Sequence, residues 1–141
     1  QENQLFQGIQ ANKIIDACIT NVRRRGEIDD RLRMSAMSIL GISAQVNARG
    51  LQDRIGDMLD CSFGVLQMET KTKSGFMVRR AALHLIHDLM YSSDEQSGVS
   101  LFPPQYNNSR LKTLLEYTQE KDDDQLVSEQ AAQLLSLLSI Y

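Results

Sequence analysis

Between Phe76 and Met90, the apolar residues Val78, Ala82, Leu85, Ile86 and Leu89 recur at helical spacing and so share one face of a helix. The same register stands earlier as Leu32, Ala36, Ile39 and Leu40, and later as Val127, Ala131, Leu134 and Leu135. In each copy an alanine follows the first apolar residue by four positions, and an apolar pair follows at seven and eight. The copies are offset by 46 and then 49 residues. A period of that length, built from helix pairs, predicts an all-α fold, an α-solenoid of the HEAT or armadillo kind in which stacked neighbours make the core.

The remaining pattern completes six helices. The first covers about Asn12 to Arg24 with Ile14, Ile15, Cys18, Ile19 and Val22 inward, and stops at Gly26, since glycine readily takes a left-handed conformation. The second opens at Asp29 and Asp30, where acids favour the positive helix end, runs to about Ala48 and stops before Gly50. Gly41 inside it lowers helix propensity by about 1 kcal/mol but leaves room for a close neighbour. The third runs from Leu51 to Glu69 through Ile55, Met58, Leu59, Phe63 and Leu66. A polar break, Thr70 to Gly75, offers Thr72 or Ser74 as a cap for the fourth helix. Ser92 to Gln105 is a linker whose Pro103 and Pro104 forbid a helix interior. The fifth helix covers about Asn108 to Glu120 with Leu111, Leu114, Leu115 and Tyr117. Asp122, Asp123 and Asp124 open the sixth as a solvated start, followed by Leu126, Val127, Ala131, Leu134, Leu135 and Leu138. One domain over 1–141 is expected, with pairs at about 12–48, 51–91 and 108–140.

Composition narrows the function classes. The net charge of −3 supplies no general field for nucleic acid or an anionic membrane. No apolar run reaches the length of a membrane span. Cys18 and Cys61 fall on predicted helices and read as buried, reduced thiols of a cytosolic or nuclear protein rather than a disulfide framework. Of the six methionines, Met34, Met37, Met58 and Met90 read as core filling. The chain opens on Gln1 rather than Met, so a piece of a longer protein is expected.

Catalytic signals are weak, and no enzyme, cofactor or metal site is expected. His84 and His87, three apart, could approach one metal, but a zinc site needs further ligands and neither cysteine is local. No nucleophile elbow or phosphate-binding loop occurs. The basic cluster Arg23, Arg24 and Arg25, with Arg31 and Arg33, reads as a turn neutralised by Glu27, Asp29 and Asp30, or as a dock for an acidic partner segment. Arg33 and Arg79 occupy the same repeat position and are expected to pair with acids along the stack; Ser128 breaks the series. Leu101 and Phe102 either tuck over the core or anchor a partner. Arg23, Arg24, Arg25 and Arg80, with Leu101 and Phe102, form the candidate partner-binding set.

Taken in order, Leu32-Arg33-Met34-Ser35-Ala36-Met37-Ser38-Ile39-Leu40-Gly41, Asp57-Met58-Leu59-Asp60-Cys61, Val78-Arg79-Arg80-Ala81-Ala82, Leu101-Phe102-Pro103 and Leu126-Val127-Ser128-Glu129-Gln130-Ala131 carry a family resemblance. The chain resembles, over about residues 28 to 138, the C-terminal region of a fungal factor required for nuclear transport of RNA polymerase II. The animal relative of that family is transport and Golgi organisation protein six. The resemblance implies a cytoplasmic HEAT-repeat scaffold, shuttling to the nucleus, whose partners are polymerase subunits and assembly chaperones or co-chaperones. A Golgi-associated trafficking adaptor and a purely structural end cap of a solenoid are the alternatives, and an open end allows self-association.

Overall fold

The computed structural model describes residues 2–69, 75–93, 97–106 and 110–138, with side chains in the first helix from Gly8 onward. Among the described residues six α-helices carry the fold: α1 (Glu2–Val22), α2 (Asp30–Val46), α3 (Ile55–Glu69), α4 (Phe76–Met90), α5 (Arg110–Lys121) and α6 (Gln125–Leu138). Short 3-10 turns lie at Gln52–Arg54 and Pro104–Tyr106. Among the described residues there is no strand, only an isolated bridge between Ser93 and Ser100. The proposed caps Thr72 and Ser74 lie outside the described residues.

Helices α1 and α2, α3 and α4, and α5 and α6 pack as sequential pairs. Across pairs, α2 lies extensively on α4 and α4 on α6, while α1 touches α3. The apolar face of α4 explains this central place: Val78, Ala82, Leu85, Ile86 and Leu89 are all buried between neighbours. Gly41 of α2 faces this helix, and a Cβ there would collide with the carboxylate of Asp88. The predicted close approach at Gly41 is therefore real. Gly26 turns the chain between α1 and α2 with φ +76°, the left-handed geometry expected after a helix.

The expected core largely holds: Ile15, Cys18, Ile19, Val22, Ile55, Met58, Leu59, Phe63, Leu66, Leu111, Leu115, Val127, Ala131 and Leu134 are buried. Four corrections concern position. Helix α1 starts at Glu2 rather than near Asn12. Ile14 is exposed instead of inward. Leu32 and Ile39 of α2 are 58% and 43% exposed, although Val78, Leu85, Val127 and Leu134 hold the same register and are buried. The physical reason is that α2 covers α4 and α4 covers α6, but no described helix covers the corresponding side of α2. Tyr117 and Leu126 are exposed as well.

Candidate functional site

Three side chains at one repeat position tie the helix pairs together. Arg33 of α2 donates from Nε to the carbonyl of Val22, the last residue of α1, at 2.9 Å. Arg79 of α4 donates from Nη1 to the carbonyl of Glu69, the last residue of α3, at 2.6 Å. Ser128 of α6 donates from Oγ to the carbonyl of Gln119 near the end of α5, at 2.6 Å. Each satisfies a carbonyl in the last turn of the helix before it, where intrahelical donors run out. The two arginines also reach forward. Arg33 Nη1 meets Glu69 Oε1 at 2.9 Å, and Arg79 grips Asp122 through both carboxylate oxygens. The expected pairing of both arginines with acids is thus present, and Ser128 keeps the backward bond without the forward pair.

One acid departs from expectation. Asp122 is not a solvated helix start: its side chain is fully buried against Arg79, and its Oδ1 also accepts from the amide of Asp124 at 2.9 Å. Asp124 is the residue that caps α6, accepting from the Val127 amide at 2.9 Å. Sequence order alone does not separate the two roles within an Asp-Asp-Asp run.

The basic corner lies just past α1. Arg24 pairs with Glu27 at 3.2 Å, Arg31 with Asp29 at 2.9 Å, and Arg33 with Asp30 at 3.1 Å. Arg25 shares buried Glu69 with Arg33, at 3.2 Å. The guanidinium of Arg31 holds the Asp29 carboxyl below its ordinary range. Arg23 forms no ion pair with a described carboxylate. This corner stands over a cavity of about 150 Å³ lined by Val22, Cys61, Gly64, Val65 and Met68 among others. Cys61 and Cys18 are free and buried, as expected. Burial pushes the Cys61 thiol up to about 11, against the opposing pull of Arg23 and Arg33.

The other candidates are scattered. Arg80 is exposed on α4, far along the chain from the corner, and its carbonyl accepts from Gln130 at 3.3 Å. Phe102 is buried, its ring 6.5 Å from Tyr106, and Leu101 is half-buried. Of the two expected readings, the tuck over the core is the one seen for Phe102, not an exposed anchor: its ring packs on Tyr106, which in turn packs on Phe63. Tyr106 in turn donates to Asp60 at 3.1 Å, which also holds Arg110 at 3.2 Å.

His84 and His87 have a third neighbour that spacing did not reveal. Their nitrogens and an Asp88 oxygen lie within 4.8 Å of one another, a group that could share a cation. Asp88 is already placed by helix packing, however, fitting over Gly41 and accepting from Gln45 at 3.2 Å. The two histidines border a groove between α4 and α6 with Tyr91, Gln130 and Gln133.

Comparison with known proteins gives one informative match. Over 146 aligned residues that take in 98% of the chain, it is 50% identical to the RNA polymerase II assembly factor RTP1 of Saccharomyces cerevisiae. The chain spans 14% of the length of that relative. No described protein family and no solved structure matches. With half of its residues shared along nearly its whole length, the chain is similar to one segment of the RNA polymerase II assembly factor RTP1, in agreement with the resemblance stated above.

Proposed function

We propose that the chain is a run of three HEAT-like helix pairs in a non-catalytic, protein-binding scaffold for the assembly of RNA polymerase II. The observation that carries the repeat reading is the recurring bond of Arg33, Arg79 and Ser128 to the end of the preceding helix. One structural device used three times, with forward pairs at two of them, is what a stack of equivalent units requires. The unequal burial of Leu32 and its counterparts Val78 and Val127 supports the same reading, since a further pair stacked on α2 would cover the open register. The relative's name supplies the process. Its partners would be polymerase subunits and assembly chaperones met in the cytoplasm, with nuclear import of the assembled enzyme as the outcome.

The test is affinity capture from cell extract with the chain as bait, read by mass spectrometry. Enrichment of polymerase subunits or their assembly chaperones supports the scaffold. Enrichment of coat or Golgi proteins in their place sinks it in favour of a trafficking adaptor. Capture of neither, together with loss of stability of the parent protein on deleting the segment, leaves a structural cap.

A further inference from the structure

We propose that the cleft between the end of α1 and the outer side of α3 is a peptide-binding site, taking one apolar side chain flanked by acidic residues. The inference deepens the protein-binding reading above and rests on it. Three independent features of the cleft define the occupant.

Its size and floor come first. A space of about 150 Å³ admits a benzene-sized group. Val22, Cys61 and Val65 form the buried floor. The Cys61 thiol stays protonated at neutral pH, so the floor carries no charge. Met68 at the rim is 61% exposed and supplies an adaptable apolar wall.

Gly64 is the second feature. It stands in the interior of α3, where glycine is the poorest helix former apart from proline. Gly41 has a reason within the fold, the carboxylate of Asp88. Gly64 has none: its φ is not positive, and a Cβ there would meet nothing within 4 Å. The open space it leaves belongs to the cleft. A bare helix backbone at the wall of an apolar cavity lets an outside group approach closely.

The rim charge is the third. Of the five arginines at the corner, four (Arg24, Arg25, Arg31 and Arg33) meet four described carboxylates (Glu27, Asp29, Asp30 and Glu69), with Glu69 shared by Arg25 and Arg33. Arg23 is the cation left over, and it lines the cleft. The one acid lining the cavity, Asp60, is engaged by Arg110 and the Tyr106 hydroxyl. A segment with carboxylates beside its apolar anchor therefore complements the rim. A nucleic acid does not fit an apolar cavity with no aromatic platform among its lining residues.

The experiment titrates the chain into a fluorescein-labelled peptide with one phenylalanine between glutamates, read by anisotropy. Saturable binding is expected, weakened about tenfold when the phenylalanine becomes alanine or the glutamates become lysines. Gly64→Leu fills the cavity and Arg23→Glu reverses the rim; each is expected to weaken the probe by a similar factor while helical circular dichroism and melting temperature stay at or above the parent's. Absence of saturable binding overturns the site, as does a folded Gly64→Leu variant that binds like the parent. Repeating the extract capture with Gly64→Leu separates the two readings. If polymerase subunits still come down with that variant, the cleft is not their seat and the scaffold survives. If the parent binds the probe but captures no polymerase component, the cleft stands and the scaffold reading fails.

Discussion

Arg79 and Asp122 form a bidentate ion pair, Nε to Oδ2 at 2.6 Å and Nη2 to Oδ1 at 2.8 Å, with both side chains almost wholly removed from water. The pair joins α4 to the turn before α6, across 43 residues of sequence. A buried pair adds little against an apolar substitute, yet losing one partner strands the other charge. Asp122→Ala is expected to cost about 3 kcal/mol or more in urea unfolding, while a joint Arg79→Met, Asp122→Leu replacement costs clearly less. Equal losses in both variants would show that Arg79 finds another acceptor.

The exposed and buried copies of one register give a direct comparison. Val78→Asp places an unpaired carboxylate in the core and is expected to abolish folding, since that penalty approaches the whole stability of a domain. Leu32→Asp, at the matching place on α2, is expected to change stability by no more than about 0.5 kcal/mol. Circular dichroism of the two variants settles the matter; collapse of both would mean that α2 is covered in solution, for instance by a second copy.

Gly41→Ala tests the contact between α2 and α4. Alanine improves helix propensity by about 1 kcal/mol, but its Cβ strikes the Asp88 carboxylate, which is buried and held by Gln45. A net loss of roughly 1–3 kcal/mol is expected, as for other overpacked sites. Adding Asp88→Gly should recover most of it in a double-mutant cycle; no recovery would place the strain elsewhere.

Cys61 sets a pH dependence at the alkaline end. Its folded thiol ionises at about 11 against an ordinary 9.0, because burial disfavours the thiolate. Between these values the unfolded chain releases the proton and the folded chain keeps it, so stability falls as pH rises. The slope from this group approaches about 1.4 kcal/mol per pH unit. Urea titrations from pH 8 to about pH 11 should show a smaller slope for Cys61→Ala than for the parent. Parallel curves would refute the assignment.

Much of the fold was legible because helix faces are written locally. Val78, Ala82, Leu85 and Leu89 had to share a face and Gly26 marked a turn, while Gly41 left room for the close approach that Asp88 makes. The expected pairing of Arg33 and Arg79 with acids followed from their shared repeat position. The candidate site was legible only in part. The run Arg23 to Arg25 was visible, but the cavity beneath it joins α1 to a thiol and a glycine on α3. Nothing near Arg23 in sequence points to Gly64.

By itself, the sequence determined six helical segments, most of their apolar faces, the thiols among the buried residues and a resemblance to a polymerase assembly factor. Tertiary structure decided which copy of the register is covered, leaving Leu32 open and Val78 closed. It decided that the side chain of Asp122 is buried while the capping role falls to Asp124, and that Phe102 packs inward. The physical reason is range. Periodicity is fixed by 3.6-residue geometry within one helix, whereas burial and ion pairing depend on groups such as Arg33 and Glu69, 36 residues apart, that meet only when the pairs stack.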